Sequence, residues 1–206
     1  MLDLLDVYDA DVVRFYLTTI MPETSDSEFR EDELIRANND VLIATWGNLA
    51  NRTISMIHRN FDGVVPDATS LAPESAALLA SAAEAFETVG AEYAACHFRN
   101  ALGEALRLAQ AGNKYLDDRA PWKAVKTDKT HAAETLATTL NVINALKTLL
   151  HPVLPFSTAQ LHKDLAQTGE LTEQGWCYAG IPAGTQLPTP RPLYTKIDTT
   201  AEPARA

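Results

Sequence analysis

The segment from Arg30 to Phe61 constrains the fold of this chain more than any other. Glu31, Asp32 and Glu33 open it, where a helix dipole favours acids. Leu42, Ile43, Trp46, Leu49, Ala50, Ile54 and Ile57 recur on one side at helical spacing, and Asn48, Arg52, Ser55 and Arg59 fall on the other. The pattern predicts one helix, roughly 45 Å long at 1.5 Å per residue. Such a helix is a spine for others to pack against. Its polar stripe is the first place to look for function, although a stripe of this kind is ordinarily a solvated face.

The remaining chain supplies partners for that spine. Leu2–Val7 and Ala10–Ile20 are short apolar segments, and the second has so little polar face that something must cover it. Asp62-Gly63 stops the spine, with glycine suited to a left-handed C-terminal position. Pro73 fits a first helical position. From it, apolar residues recur at helical spacing to about Leu116, and two antiparallel helices turning near Cys96-His97 fit better than one of over forty residues. Ala120-Pro121 ends that run, because a residue before proline avoids the helical region. A further helix is predicted over Lys129–Leu150. Ser157-Thr158-Ala159-Gln160 reads as a capping box, with Phe156 and Leu161 as its hydrophobic staple, opening a helix to about Gln167. After Gly169, proline, glycine and isolated aromatics and aliphatics (Trp176, Ile181, Leu187, Leu193, Tyr194 and Ile197) predict an irregular tail packed back on the helices. No stretch alternates with period two. The expected fold is all-α, an antiparallel helix bundle with an irregular C-terminal strap. Residues 1–20 form a linking segment, 21–168 the bundle and 169–206 the tail.

Composition narrows the function. At 206 residues and 46% hydrophobic, the chain can bury a core, and its apolar runs are too short to cross a membrane. Cys96 and Cys177 stand alone, without zinc-ligand spacing, and the start carries no signal peptide, which points to the cytoplasm. A net charge of −10 argues against non-specific coating of nucleic acid. It leaves room for a local basic site, since distant charges are screened beyond ~8 Å at physiological salt. The densest basic run, Lys114, Arg119, Lys123, Lys126 and Lys129, is interrupted by Asp117, Asp118 and Asp128, and by charge alone reads as solvated surface.

Catalytic signatures are missing: there is no glycine-rich nucleotide loop, no phosphate loop and no nucleophile elbow. His58, His97, His131, His151 and His162 are scattered singly. One short segment stands apart from this background, Asp117-Asp118-Arg119-Ala120-Pro121-Trp122-Lys123. Tryptophan most often fills cores. Here, directly after a proline, at a helix break and among cations, the ring suits stacking on an unpaired base.

Those residues carry a resemblance. The chain resembles the C-terminal, anticodon-binding half of the methionyl-tRNA synthetases, which are class I aminoacyl-tRNA synthetases. Tyr8-Asp9-Ala10-Asp11-Val12-Val13-Arg14-Phe15-Tyr16-Leu17 is similar to a family segment, with Asp9 where the family has glycine. Asn48-Leu49-Ala50-Asn51-Arg52 is similar to the family's anticodon-contacting helix, followed by Phe61-Asp62-Gly63-Val64-Val65-Pro66. Asn113-Lys114-Tyr115, Ala120-Pro121-Trp122, Leu154-Pro155-Phe156-Ser157 and the tail from Ile181-Pro182-Ala183-Gly184 to Ile197-Asp198 follow in the family's order.

The resemblance implies a domain that binds methionine tRNA at its unstacked CAU anticodon. Asn48 and Arg52 would hydrogen-bond the anticodon, Trp122 would stack on a base and Pro121 would fix the ring. Asn113 and Tyr115 would support them, with Ser55 and Arg59 on the same stripe. The family's His-Ile-Gly-His and Lys-Met-Ser-Lys-Ser signatures are not in this sequence, nor is its zinc-binding insertion. ATP, methionine and zinc therefore belong to the catalytic half, the other implied partner, and this chain alone is expected to be inactive and to hold no cofactor. In the whole enzyme residues 1–20 would lie beside that half, which leaves Leu4, Leu5, Phe15 and Leu17 expected without a partner here. Two other readings of the same fold are the bundle of another class I synthetase and a protein-interaction bundle without tRNA binding.

Overall fold

The computed structural model of the chain describes residues 2–23, 26–68 and 70–198. In chain order the helices are α1 (Leu2–Leu5), α2 (Ala10–Thr19), α3 (Glu31–Arg36), a π-helical segment (Ala37–Gly47), α4 (Asn48–Phe61), α5 (Pro73–Ala94), α6 (Phe98–Arg119), α7 (Pro121–Ala124), α8 (Lys129–Leu150), α9 (Pro155–Asp164) and α10 (Leu171–Gln174). Among the described residues there is no strand, only an isolated antiparallel bridge between Val64 and Gln186. The all-α expectation holds.

The helix buried on every side is α8, not the Arg30–Phe61 segment. From Ala132 to Leu150 its positions are apolar, threonine or asparagine, and the only charges are Glu134 and Lys147. A helix this apolar all round must lie at the centre. Accordingly α4, α5, α6, α7 and α9 all pack against α8. The amphipathic α4 instead forms one wall, burying Leu49, Ala50, Thr53, Ile54 and Ile57 and leaving its polar stripe outward. Gly112 allows α6 to approach it closely, because a Cβ there would meet Leu49 at 3.0 Å.

Three predicted elements need correction. The Arg30–Phe61 run is helical throughout but not α-helical throughout: from Ala37 to Gly47 it is π-helical. Burial there falls on Asn38, Leu42, Trp46 and Gly47, a spacing of about four that the wider i→i+5 turn accommodates. Its stop uses two left-handed residues, Asp62 (φ 54°) and Gly63 (φ 75°), and Asp62 takes the cap position. The capping box at Ser157 does not form. Pro155 takes the first helical position of α9, Ser157 and Thr158 lie inside the helix, and Phe156 is 66% exposed instead of stapled. The caps come from α2, where the Asp11 carboxylate accepts from the N–H groups of Ser157 (2.6 Å) and Phe156 (3.3 Å).

The first helices are also better covered than expected. Phe15 is buried, and Leu4 and Leu17 pack partly buried against the core; of the four residues expected bare, only Leu5 stands exposed, beside Val7. Arg14 donates to the carbonyls of Val153 and Pro152 (2.9 and 2.8 Å), so α2 grips the α8–α9 turn with two side chains. Asp9, at φ −56°, occupies its turn without needing glycine's freedom.

The turn between α5 and α6 falls at Ala95–His97, with Cys96 left-handed at φ 61°. Up to Asp198 the tail packs on the helices, burying Ile181, Leu187 and Tyr194, and includes the short α10 that composition concealed; residues 199–206 of the expected tail lie outside the described residues. Asparagine side chains substitute for a neighbouring strand along it. Asn39 pairs with both the N–H and the carbonyl of Ile197 (3.0 and 2.9 Å), Asn141 accepts from Ile181 N–H (2.8 Å) and Asn144 donates to Ala179 (2.5 Å).

Candidate anticodon interface

The polar stripe of α4 and the Pro121-Trp122 corner meet on one face. Arg52 is the hinge of that meeting: its guanidinium carbon lies 5.4 Å from the centroid of the Trp122 ring, and Nη2 is 3.0 Å from Asp117 Oδ1 near the end of α6. An arginine over an indole gains cation–π attraction. The sequence singles out the two residues separately, one for its stripe and one for its proline, and the fold brings them together. Asn48, one turn before Arg52, is exposed on the same face, Ser55 is half-buried and Arg59 is exposed.

Trp122 is 40% exposed, while Pro121 is buried. The part-exposed ring therefore directly follows a rigid, packed residue. Arg59, Lys123 and Lys126 are exposed and form no ion pair among the described residues, on a chain of net charge −10.

The remaining cations of the basic run are already used. Lys114 pairs with Asp118 (2.6 Å), and Lys129 lies over the Phe61 ring (5.1 Å). Arg119 is withdrawn into the protein, which corrects its reading as solvated surface. It bonds Glu74 at 2.6 Å and the buried Glu134 at 2.7 Å.

Asn113 and Tyr115 sit behind the face. The Asn113 amide donates to the carbonyls of Thr45 (2.8 Å) and Ala109 (3.1 Å), tying α6 to the π-helical segment. Tyr115 is buried with its hydroxyl 2.8 Å from Ser75 Oγ. Ser75 in turn donates to Glu134 (2.5 Å), which also accepts from the Ala72 N–H (2.6 Å). Burial by itself would raise the Glu134 carboxyl, but the Ser75 hydroxyl, the Ala72 N–H and Arg119 hold it below its usual 4.5. Sequence reasoning passed over Glu134 and Lys147. Their signal was available, as the two charges in an otherwise uncharged, mainly apolar stretch of helix.

No group of three or more metal-ligating side chains occurs among the described residues, and none of their helices is long and apolar enough to cross a membrane.

The comparisons with known proteins fit this geometry. Residues 1–54 match the model of class I tRNA synthetases of the methionine type. Residues 65–204 match the model described as the anticodon binding domain of methionyl tRNA ligase, and the chain belongs to that family. Among relatives, it is 39% identical over 222 aligned positions to the methionine–tRNA ligase of Chloroflexus aggregans, covering 95% of this chain and 37% of that protein. It is 40% identical over 197 positions to that of Dehalococcoides mccartyi, covering 95% and 35%. The chain thus spans little more than a third of these relatives. Among solved structures, the apo methionyl-tRNA synthetase of Mycobacterium tuberculosis superposes with a TM-score of 0.88 at 28% identity, over 95% of this chain and 40% of that one. The same enzyme bound by methionyl-adenylate gives 0.89, over 94% and 39%.

Proposed function

We propose that this chain binds methionine tRNA through its anticodon loop and discriminates the CAU anticodon, acting beside a catalytic half that handles ATP and methionine. The observation that carries the reading is the Arg52–Trp122 pair. A part-exposed indole directly after a buried proline offers a stacking surface that any base can use. The Arg52 fork and the Asn48 amide beside it supply donors and an acceptor for the edges of a splayed base or for its phosphate. Arg59, Lys123 and Lys126 then meet the backbone of the loop, and Asn113 and Tyr115 support the site from behind.

The test is a binding titration of the chain with methionine tRNA and with the same tRNA carrying a changed anticodon. Tighter binding to the first is expected, with Trp122→Ala and Arg52→Ala each weakening it by roughly 1–3 kcal/mol. Equal affinity for both tRNAs would put the interaction bundle ahead.

A further inference from the structure

The corner that presents Trp122 is conformationally costly. Ala120 sits at φ 42°, ψ 57°, a left-handed conformation that a residue bearing a Cβ holds only where its surroundings over-determine it. Those surroundings converge on one carboxylate. Glu134, 8% exposed within α8, receives Arg119 Nη2 on one oxygen at 2.7 Å. Its other oxygen receives the Ala72 N–H and the Ser75 hydroxyl at the start of α5. Since Ser75 gives its only proton to Glu134, Tyr115 must donate to Ser75, which engages α6 one turn before Arg119.

Arg119 is the residue immediately before the corner, and its carbonyl is also fixed, lying 2.9 Å from His131 Nε2. A carbonyl only accepts, so the imidazole proton is on Nε2. Both ends of Arg119, guanidinium and carbonyl, are thus pinned to α8 directly ahead of Ala120-Pro121-Trp122. Nothing in this set touches the exposed face of the ring.

We propose that Glu134 is a positioning residue for anticodon reading: through Arg119 it fixes the Ala120–Pro121 corner, and through that corner the plane of the Trp122 ring beside Arg52. The inference rests on the stacking role proposed above for Trp122. A carboxylate that only held α5, α6 and α8 together would affect stability alone. One that aims the ring affects discrimination, and only while the ring is present.

The experiment is a double-mutant cycle of Glu134→Gln and Trp122→Ala, read as affinity of the 206-residue chain for methionine tRNA and for its anticodon-changed form. Displacing a reading group by an ångström is enough for losses of this order, so Glu134→Gln is expected to weaken cognate binding roughly tenfold. It should leave binding to the changed anticodon as it was, and have no further effect once Trp122 is alanine. Native cognate affinity in a folded Glu134→Gln chain would overturn the proposal, as would an equal loss on the Trp122→Ala background or for both tRNAs. If Glu134→Gln does not fold, Arg119→Gln breaks the same pair and leaves the Ala72 and Ser75 bonds in place. The same pattern is expected, and unchanged discrimination there overturns the proposal. Should Trp122→Ala itself bind both tRNAs as the native chain does, the stacking reading fails first and takes this inference with it.

Discussion

Asp11 caps the N-terminus of a helix that lies 146 residues away, its carboxylate 2.6 Å from the Ser157 N–H. Removing it by Asp11→Ala leaves two N–H groups at the start of α9 without a side-chain acceptor. The expected loss is about 1–3 kcal/mol, the range for stripping a partner from a buried donor. Urea unfolding measures it, and a loss below about 0.5 kcal/mol, the level of neutral surface substitutions, would mean that water replaces the cap.

Trp122→Ala should barely change the melting temperature. A core tryptophan costs about 3–5 kcal/mol when truncated, but this ring is 40% exposed and Arg52, the cation over it, is itself part-exposed. A loss of less than about 1 kcal/mol is expected, from contacts with one face only. A drop of several kcal/mol in thermal unfolding would show that the ring is structural.

Lys147 predicts a pH dependence of stability. It is fully buried among neutral acceptors, with Nζ 2.9 Å from Asn144 Oδ1, 3.0 Å from His162 Nδ1 and in contact with Gln167. Burial pushes its ammonium down from 10.5 to about 8. Between those values the unfolded chain holds a proton that the folded chain has released, so stability rises with pH across the window and levels off below 8, where both states hold the proton. Relative to Lys147→Met, the native chain should gain about 1–2 kcal/mol between about pH 8 and 9.5. That range stops short of Tyr8 and Tyr93, both pushed up to about 12. Parallel stability profiles for the two proteins would refute the assignment.

Asn39→Asp tests the strap. An amide answers both the N–H and the carbonyl of Ile197, whereas a carboxylate answers only the N–H and repels the carbonyl. Faster hydrogen exchange at Ile197 is expected, with little change at Leu146 in the core. Unchanged protection at Ile197 would show that other contacts hold this end of the tail.

Local chemistry explains how far the sequence could be read. Helix α8 was legible at roughly its observed bounds because no glycine or proline interrupts its apolar pattern; the structure adds the cap, Asp128 accepting from His131 N–H at 2.9 Å. Trp122 was legible as a ring oddly placed for core from its position after Pro121, at a helix break and among cations. The π-helical register was not, since residues four apart, such as Asn38, Leu42 and Trp46, share a face in an α-helix as well. The capping box failed for a different reason. Ser157 and Gln160 have the right spacing, but Pro155 starts the helix earlier and Asp11 supplies the cap from a distant helix. The Arg52–Asp117 bond and the Glu134 bracket are equally tertiary, because each joins helices whose approach no local pattern specifies.

The seam between the two family models falls across α4, with one ending at residue 54 and the other starting at 65. Folding ignores that seam, because Leu49 and Ile54 before the cut and Ile57 after it pack into one core. A graft begun at Val65 would carry Trp122 into its new host without Arg52, and would open the α4-facing side of α8 to solvent. The heritable module is therefore longer than the recognisable one, and chimeras of this family should be joined upstream of α2, where the chain still belongs to the other half by sequence.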